Sequence, residues 1–352
     1  MKTSFARILS YCIVFYIASR SVKAKQKPER HYGCPMAKNV CIYPIDDAEF
    51  QCNTVFDFQI ELHVPNTTTV DNPEDEIKIM LDLPNGAMMD QVTPTKLFGK
   101  EPESRSWQFE TFENLTEQTA INFTSYALAW RNIFLDEEIV GRMGGPIGVT
   151  VVARGVTTKV NWTVREATPR TAKNVVLFIG DGMALPMMAA ARLVSRGMIH
   201  GKYKDTLFTE KLDNFGLVSP AGVDSIITDS ANSASSYNTG FKSSVNAMGV
   251  YADSNDDAPF EHPKVETLAE HLKRKEYNMS VGVITTAEVQ DATPAAVWAH
   301  TRRRGEKAAI TAQVINGCEG CITTVAPEVL MGGGGKYFLP EDSIDGSNMY
   351  KN

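Results

Sequence analysis

Three short segments of this 352-residue chain carry side chains that could do chemistry together. The first is Asp224-Ser-Ile-Ile-Thr-Asp-Ser-Ala-Asn-Ser-Ala-Ser-Ser-Tyr-Asn-Thr-Gly-Phe-Lys242, where the β-branched run Ile226-Ile227-Thr228 leads into Asp229-Ser230 and then a stretch of small residues ending at Gly240. Ser230 would sit in the first turn of a helix, where unpaired N–H groups and the positive helix end face an anion. It is there either an ordinary N-cap or a nucleophile toward phosphorus. The second segment is Ile179-Gly-Asp-Gly-Met183, whose Asp181 is a turn residue or a carboxylate held open by its flanking glycines. The third is Thr285-Thr-Ala-Glu-Val-Gln-Asp-Ala-Thr-Pro-Ala-Ala-Val-Trp-Ala-His300. Asp291 and Thr293 offer hard oxygens suited to Mg²⁺, or else cap a helix, since Thr293-Pro294 reads as an N-cap followed by N1. The following Arg302-Arg303-Arg304 is a solvated face, or supplies a guanidinium that forks onto phosphate oxygens.

These segments need a scaffold that gathers them. Asn174-Val-Val-Leu-Phe-Ile-Gly180 is a continuous apolar run, as in a buried parallel strand, and Ala184 to Arg196 reads as a helix. Val265 to Arg274 reads as another helix, and Met279 to Thr285 as another buried strand. Alternating strands and helices indicate an α/β fold with a largely parallel sheet, whose ligands bind beyond the carboxyl ends of its strands. Asp181, Asp229-Ser230 and the segment after Thr285 would meet on that edge.

The preceding residues read differently. Val55 to Val64 and Glu76 to Leu83 alternate apolar and polar with period 2, as half-buried strands do. Further strand candidates are Trp107–Phe112, Ala120–Trp130 and Gly148–Val164. An all-β, sandwich-like domain over 25–168 is expected, followed by the α/β part over 172–352. No chemical constellation appears in the β part.

Residues 1–24 have the pattern of a secretory signal: Lys2 and Arg7, an apolar core from Ile8 to Ala18, and a small residue at Ala24. Five Asn-x-Ser/Thr sequons follow, at Asn66, Asn114, Asn122, Asn161 and Asn278. A secreted or cell-surface glycoprotein is expected. Without Cys12, five cysteines remain, so one lacks a partner or is free. In Cys318-Glu-Gly-Cys321 a local or a long-range disulfide is expected rather than a zinc knuckle, which needs a second ligand pair nearby, and no histidine follows His300. The net charge is −7, with no basic patch interleaved with aromatics, so nucleic acid is not an expected partner.

Val175-Val-Leu-Phe-Ile-Gly-Asp-Gly-Met183, Thr228-Asp-Ser-Ala231 with Thr239-Gly240, and Thr286-Ala-Glu-Val-Gln-Asp-Ala-Thr-Pro-Ala-Ala296 ending in Ala299-His300 resemble the alkaline phosphatases. Met331-Gly-Gly-Gly-Gly335 is similar to that family's glycine-rich stretch, so the likeness runs over about residues 173–338. It implies a three-layer αβα sandwich and hydrolysis of phosphate monoesters through a phosphoserine, with two Zn²⁺ and one Mg²⁺. Ser230 would be the nucleophile and a zinc ligand, and Asp181 would bridge one zinc and the magnesium. Thr293 would bind Mg²⁺ directly and Asp291 through water, as in bacterial members; vertebrate members tend to carry His and Ser at those two positions. Arg304 would bind phosphate, oriented by Asp229. Members are commonly homodimers, and eukaryotic ones often carry a C-terminal lipid anchor. The β domain finds no counterpart in the family's usual core.

The family takes its other zinc ligands from later sequence: an Asp-x-x-x-His, an Asp-His and a final His, plus a Glu for Mg²⁺. None of the six histidines here has that spacing. The expectation is therefore an incomplete chain that is inactive alone and exposes an apolar sheet edge. Two alternatives are another phosphoesterase or sulfatase of the superfamily, and a secreted non-catalytic glycoprotein with a vestigial phosphatase part. Ser230-Ala-Asn-Ser-Ala lacks the Cys/Ser-x-Pro-x-Arg motif of sulfatases.

Overall fold

The structure is a computed structural model that describes residues 40–68, 70, 73–83, 92–114, 119–140, 144–166, 172–255, 257–275, 277, 279–321 and 323–339. The expected signal sequence, Cys34 and Asn278 lie outside the described residues.

The first part is built from β1 (Val40–Tyr43), β2 (Ala48–Gln51), β3 (Val55–Pro65), β4 (Ile77–Asp82), β5 (Glu103–Asn114), β6 (Thr119–Phe134), β7 (Gly144–Ala153) and β8 (Val156–Arg165). They form two four-stranded sheets, ordered β1-β3-β6-β5 and β2-β8-β7-β4. All pairs are antiparallel except β2 with β8. The expected strand over 148–164 is in fact the β7–β8 hairpin, turning at Arg154-Gly155, where both residues have positive φ. Between the sheets Phe56, Phe58 and Trp162 pack ring against ring, with Phe58 stacked on Trp130 at 5.3 Å. Such aromatic clusters supply much of a sandwich core.

Strand β3 departs from the half-buried pattern that its alternation predicts. Phe56, Phe58, Ile60, Leu62 and Val64 face the sandwich core, yet Asp57, Gln59, Glu61 and His63 on the other face are also buried. Asp57, Gln59 and Glu61 are met by Lys264, Asp253 and Ser254 of the following part, whereas His63 lies against Phe109 and bonds Glu61 within the β domain. Asp57 accepts from Lys264 N and Arg131, Gln59 donates to Asp253, and Glu61 accepts from Ser254. The apolar core likewise continues into Phe241, Tyr251 and Val265.

The second part contains the helices Leu185–Arg196, Ser230–Thr239, Leu268–Arg274, Ala292–Ala295 and Lys307–Asn316. Strands β9 (Met198–Ile199) and β10 (Lys202–Tyr203) form a small hairpin, and β11 (Gly282–Glu288) pairs in parallel with β12 (Val329–Gly333). Its core is small and alanine-rich: Ala231, Ala234, Ala292, Ala295, Ala296 and Ala299 pack around Met248, Trp298 and Ile310. Methyl-sized side chains let these short helices approach closely.

Two sequence expectations are corrected here. Asn174–Gly180 is not a strand, and Val175–Ile179 are 43–91% exposed. A buried strand needs neighbours to bond its backbone and layers to cover both faces; among the described residues it has neither. The predicted strand at Met279–Thr285 starts at Gly282 instead and is mostly exposed. The parallel sheet is therefore, among the described residues, a two-stranded ladder, and the sheets of the chain as a whole are mixed. Leu217, Val218, Ile226 and Ile227, which are not in strands, are also exposed. No helix among the described residues is long and apolar enough to cross a membrane.

The sandwich core gives a direct stability test. Phe58→Ala should cost about 3–5 kcal/mol, read as a lower urea midpoint in equilibrium unfolding.

Candidate active site

Ser230 is not the cap of its helix. Asp229 is, with extended backbone; its Oδ1 accepts from Asn232 N at 3.1 Å, and Asn232 Oδ1 returns the bond to Asp229 N at 3.0 Å. The helix closes at Gly240, in the left-handed conformation that glycine adopts without steric cost. Because Asp229 does the capping, the Ser230 hydroxyl is free. It donates to Asp181, 2.9 Å from one carboxylate oxygen and 3.0 Å from the other.

The same substitution of roles occurs at the third segment. The cap of Ala292–Ala295 is Asp291, accepting from Ala292 N at 2.9 Å, not Thr293. Thr293 is left to donate its hydroxyl to Asp181 Oδ2 at 3.0 Å. Asp181 thus receives hydroxyls from two segments far apart in sequence.

The arginine run separates into distinct roles. Arg302 is buried and donates to Val245 O. Arg304 reaches the site: Nη1 lies 3.1 Å from Asp229 Oδ2, and Nη2 lies 2.7 Å from Asp291 Oδ1. Its backbone N–H donates to Asn246 O, and Asn246 N in turn donates to Asp229 Oδ1. Partial burial opposes the Arg304 charge, but bonds from Asp291 and Asp229 outweigh it and raise the pKa. Burial pushes the Asp291 carboxyl up, and Arg304 and the Ala292 N–H more than reverse this, leaving it below the ordinary carboxylate range. The guanidinium is partly exposed and retains N–H groups beyond the two bonded to the carboxylates.

Two contributors escaped sequence reasoning. Tyr237 lies seven residues after Ser230, on the same helix face; that spacing was the available signal. Burial and the Asp181 charge push its phenol up to about 12, while a hydrogen bond with Thr293 pulls the other way. It remains a neutral hydrogen-bonding group beside the hydroxyl cluster. Gln290 is buried next to Asp291 and donates to Thr311 Oγ1 and Gly334 O. A Cβ at Gly334 would collide with the Gln290 side chain, and Gly334 has φ +88°, which explains glycine at that point of the run. Asp181, Tyr237, Asp291 and Thr293 line an open cleft of about 1010 Å³, whose other walls include Val175, Leu177 and Val283.

The donor chemistry decides which metals the site suits. Asp181, Thr293 and Asp291 present only oxygens, which fits Mg²⁺. Zinc sites draw chiefly on imidazole or thiolate, and among the described residues no histidine or cysteine joins this cluster. The metal-ligating groups that do assemble lie elsewhere, at Cys41, Glu61 and His63 and at His300, Cys318 and Cys321. In both, the cysteines are in disulfides. Of the two disulfide arrangements expected for Cys318 and Cys321 the local one is present, and the free cysteine among the described residues is Cys52. Burial pushes the Cys52 thiol up and its sulfur donates to Leu135 O, the setting of an unreactive core cysteine.

A model of the alkaline phosphatase family matches residues 172–351, and one described as a PhoA-like N-terminal domain matches residues 39–165. The chain belongs to the alkaline phosphatase family. The second match provides the counterpart for the β domain that the sequence reading lacked. The tissue-nonspecific isozyme of Gallus gallus is 30% identical over 187 residues, 49% of this chain and 35% of that relative. The alkaline phosphatase of Escherichia coli K12 is 33% identical over 191 residues, 48% of this chain and 36% of that relative. The match thus spans about a third of the length of these curated relatives. A solved cold-active alkaline phosphatase from the psychrophile Shewanella sp. is 31% identical, covering 46% of this chain and 36% of that one, with a TM-score of 0.37.

Behind the Arg304 segment, His300 is buried with Nδ1 2.8 Å from Gly249 O and Nε2 3.0 Å from Glu270 Oε1. Both partners are acceptors, so the ring is held as imidazolium. Burial lowers the His300 pKa, but Glu270 and the Gly249 carbonyl outweigh it and the net shift is upward. A raised folded value contributes stability that is complete below the unfolded pKa of about 6.5 and lost as pH rises through the folded value. The urea midpoint should therefore fall from pH 6 into the alkaline range. His300→Gln should be less stable at pH 6, by about 3–5 kcal/mol, and should flatten that part of the profile.

Proposed function

We propose that this chain carries the nucleophile, the Mg²⁺ side and the phosphate-binding side of an alkaline phosphatase acting on phosphate monoesters. The observation that carries the reading is the convergence of three segments: Ser230 and Thr293 on Asp181, and Arg304 between Asp229 and Asp291. An anion beside Ser230 would meet the N–H groups of that helix start and the free N–H groups of Arg304. Attack by Ser230 Oγ in line with the ester forms the serine–phosphate bond and breaks the bond to the leaving oxygen. The hydroxyl proton leaves by way of Asp181, its nearest acceptor. That proton balances the leaving oxygen, which departs as the alcohol; water then bonds phosphorus as the bond to Ser230 Oγ breaks, a water proton returns to Oγ, and inorganic phosphate leaves. Asp181 and Thr293 would hold Mg²⁺ directly and Asp291 through water; when bound, that ion neutralises charge developing at phosphorus. Two zinc ions are not fitted by the described donors, so no step is derived through them.

The three-layer sandwich belongs to the same proposal: its support is the parallel pairing of β11 with β12 and the exposed apolar run Val175–Ile179, whose composition suits a strand. A secreted, glycosylated protein is proposed as well. Its support is the exposure of Asn66, Asn122 and Asn161 and the disulfide-bonded state of Cys41 and Cys318–Cys321.

Inorganic phosphate binding by residues 1–352 in Mg²⁺ should weaken by about 30-fold or more in Arg304→Ala. The same chain should show no zinc-dependent hydrolysis of p-nitrophenyl phosphate. Robust zinc-dependent hydrolysis, abolished by Ser230→Ala, would contradict the incomplete zinc set, and absence of phosphate binding would contradict the site itself.

A further inference from the structure

Between the β domain and Arg304 lies one hairpin, residues 249–265. Its two arms are joined by Val265 N to Gly249 O and Tyr251 N to Pro263 O, with a bridge between Val250 and Lys264. One face is gripped by the polar side of β3. Asp57 Oδ2 accepts from Lys264 N at 2.9 Å, Gln59 Nε2 donates to Asp253 Oδ2 at 2.9 Å, and Glu61 Oε2 accepts from Ser254 Oγ at 2.6 Å. Asp57, Gln59 and Glu61 are all at most 2% exposed. Buried polar groups that lose their partners are costly, so these bonds tolerate little sliding of the hairpin.

The base of the hairpin runs directly into the phosphate side of the site. Met248 and Thr301 exchange both backbone hydrogen bonds, at 2.8 and 2.9 Å. Two residues before Met248 and three after Thr301, Asn246 O accepts from Arg304 N at 2.9 Å. Asn246 N donates to the carboxylate of Asp229, the same carboxylate that holds Arg304 Nη1. The backbone position of Arg304 is therefore set from the hairpin side, and the hairpin is set by β3.

We infer that the β domain is a positioning element for the phosphate site, acting from the buried polar face of β3 through the 249–265 hairpin onto Arg304. Gln59 and Glu61 are the positioning residues on the β side, and Ser254 and Asp253 receive them on the hairpin. The inference rests on the proposed phosphate-binding role of Arg304. A purely structural β domain would alter stability when this face is changed but would leave the affinity of the folded protein alone.

The test uses the full chain in Mg²⁺, with inorganic phosphate as the probe in calorimetry, and hydrogen exchange read at individual amides. Ser254→Ala removes the two bonds of Ser254 Oγ across the interface, to Glu61 and from Trp107 Nε1, and Gln59→Leu removes the one to Asp253; both leave Glu61 and Asp253 with other donors. Each variant should bind phosphate about 2- to 25-fold more weakly while still unfolding cooperatively, and should speed exchange at the Met248, Thr301 and Arg304 amides. Phosphate added to the unmodified chain should reciprocally slow exchange at the Lys264 and Val265 amides, a reading that needs no variant to fold. Folded variants with unchanged phosphate affinity would overturn the inference. Unchanged exchange at the Arg304 amide in Ser254→Ala would also overturn it, even if the unmodified chain bound no phosphate; that last result alone would instead refute the role given to Arg304.

Discussion

Arg304 is held by two carboxylates, and each of them caps a helix. Asp229 starts Ser230–Thr239 and Asp291 starts Ala292–Ala295, so one guanidinium ties two helix N-termini to a common point. The arrangement fixes more than the arginine. By supplying both caps, the aspartates release the neighbouring hydroxyls of Ser230 and Thr293, and both turn to Asp181. Positive helix ends, a guanidinium and a carboxylate with two hydroxyl donors are thereby brought around one space. The alanine-rich packing beneath allows two short helices to bring their starts so close. Gln290 and the glycine run secure the Asp291 side from behind.

Much of this site was legible from residue types. Asp181, Asp229, Ser230, Asp291, Thr293 and Arg304 were all identifiable because their segments join apolar runs to helix starts, where anions and cations are accommodated. The cap assignments were not legible. Ser230 and Thr293 are as good caps as the aspartates by propensity; what decided between them was the arginine, which needs carboxylates, not hydroxyls, and comes from a separate segment. Tyr237 was only partly legible: its i+7 spacing places it on the face of Ser230, but its partner Thr293 comes from a separate segment.

The fold shows the same division. Period-2 alternation located β3 and β4 within a residue or two, but it also led to β3 being read as half-buried. Asp57, Gln59, Glu61 and His63 have the composition of a solvent face and are instead buried, the first three bonded to Lys264, Asp253 and Ser254. Polarity alone does not distinguish a wet face from a buried one whose groups are matched. The opposite error occurred at Val175–Ile179, where apolarity suggested burial and the chain leaves the residues exposed. There, burial would depend on strands that the described residues do not supply. His63, His262 and His300 are engaged by carboxylates away from the site, and His271, which lines the same cleft, is bonded to Glu266.

The central claim is that Asp181, Thr293 and Arg304 define one hard-cation site beside one anion site. A crystal structure of this chain grown with Mn²⁺ and vanadate would examine that most directly, because the anomalous signal of manganese locates each ion. The account predicts a manganese peak at coordinating distance from Asp181 and Thr293, with vanadate between Ser230 Oγ and Arg304. Manganese absent from that cluster, or vanadate bound away from Arg304, would contradict it.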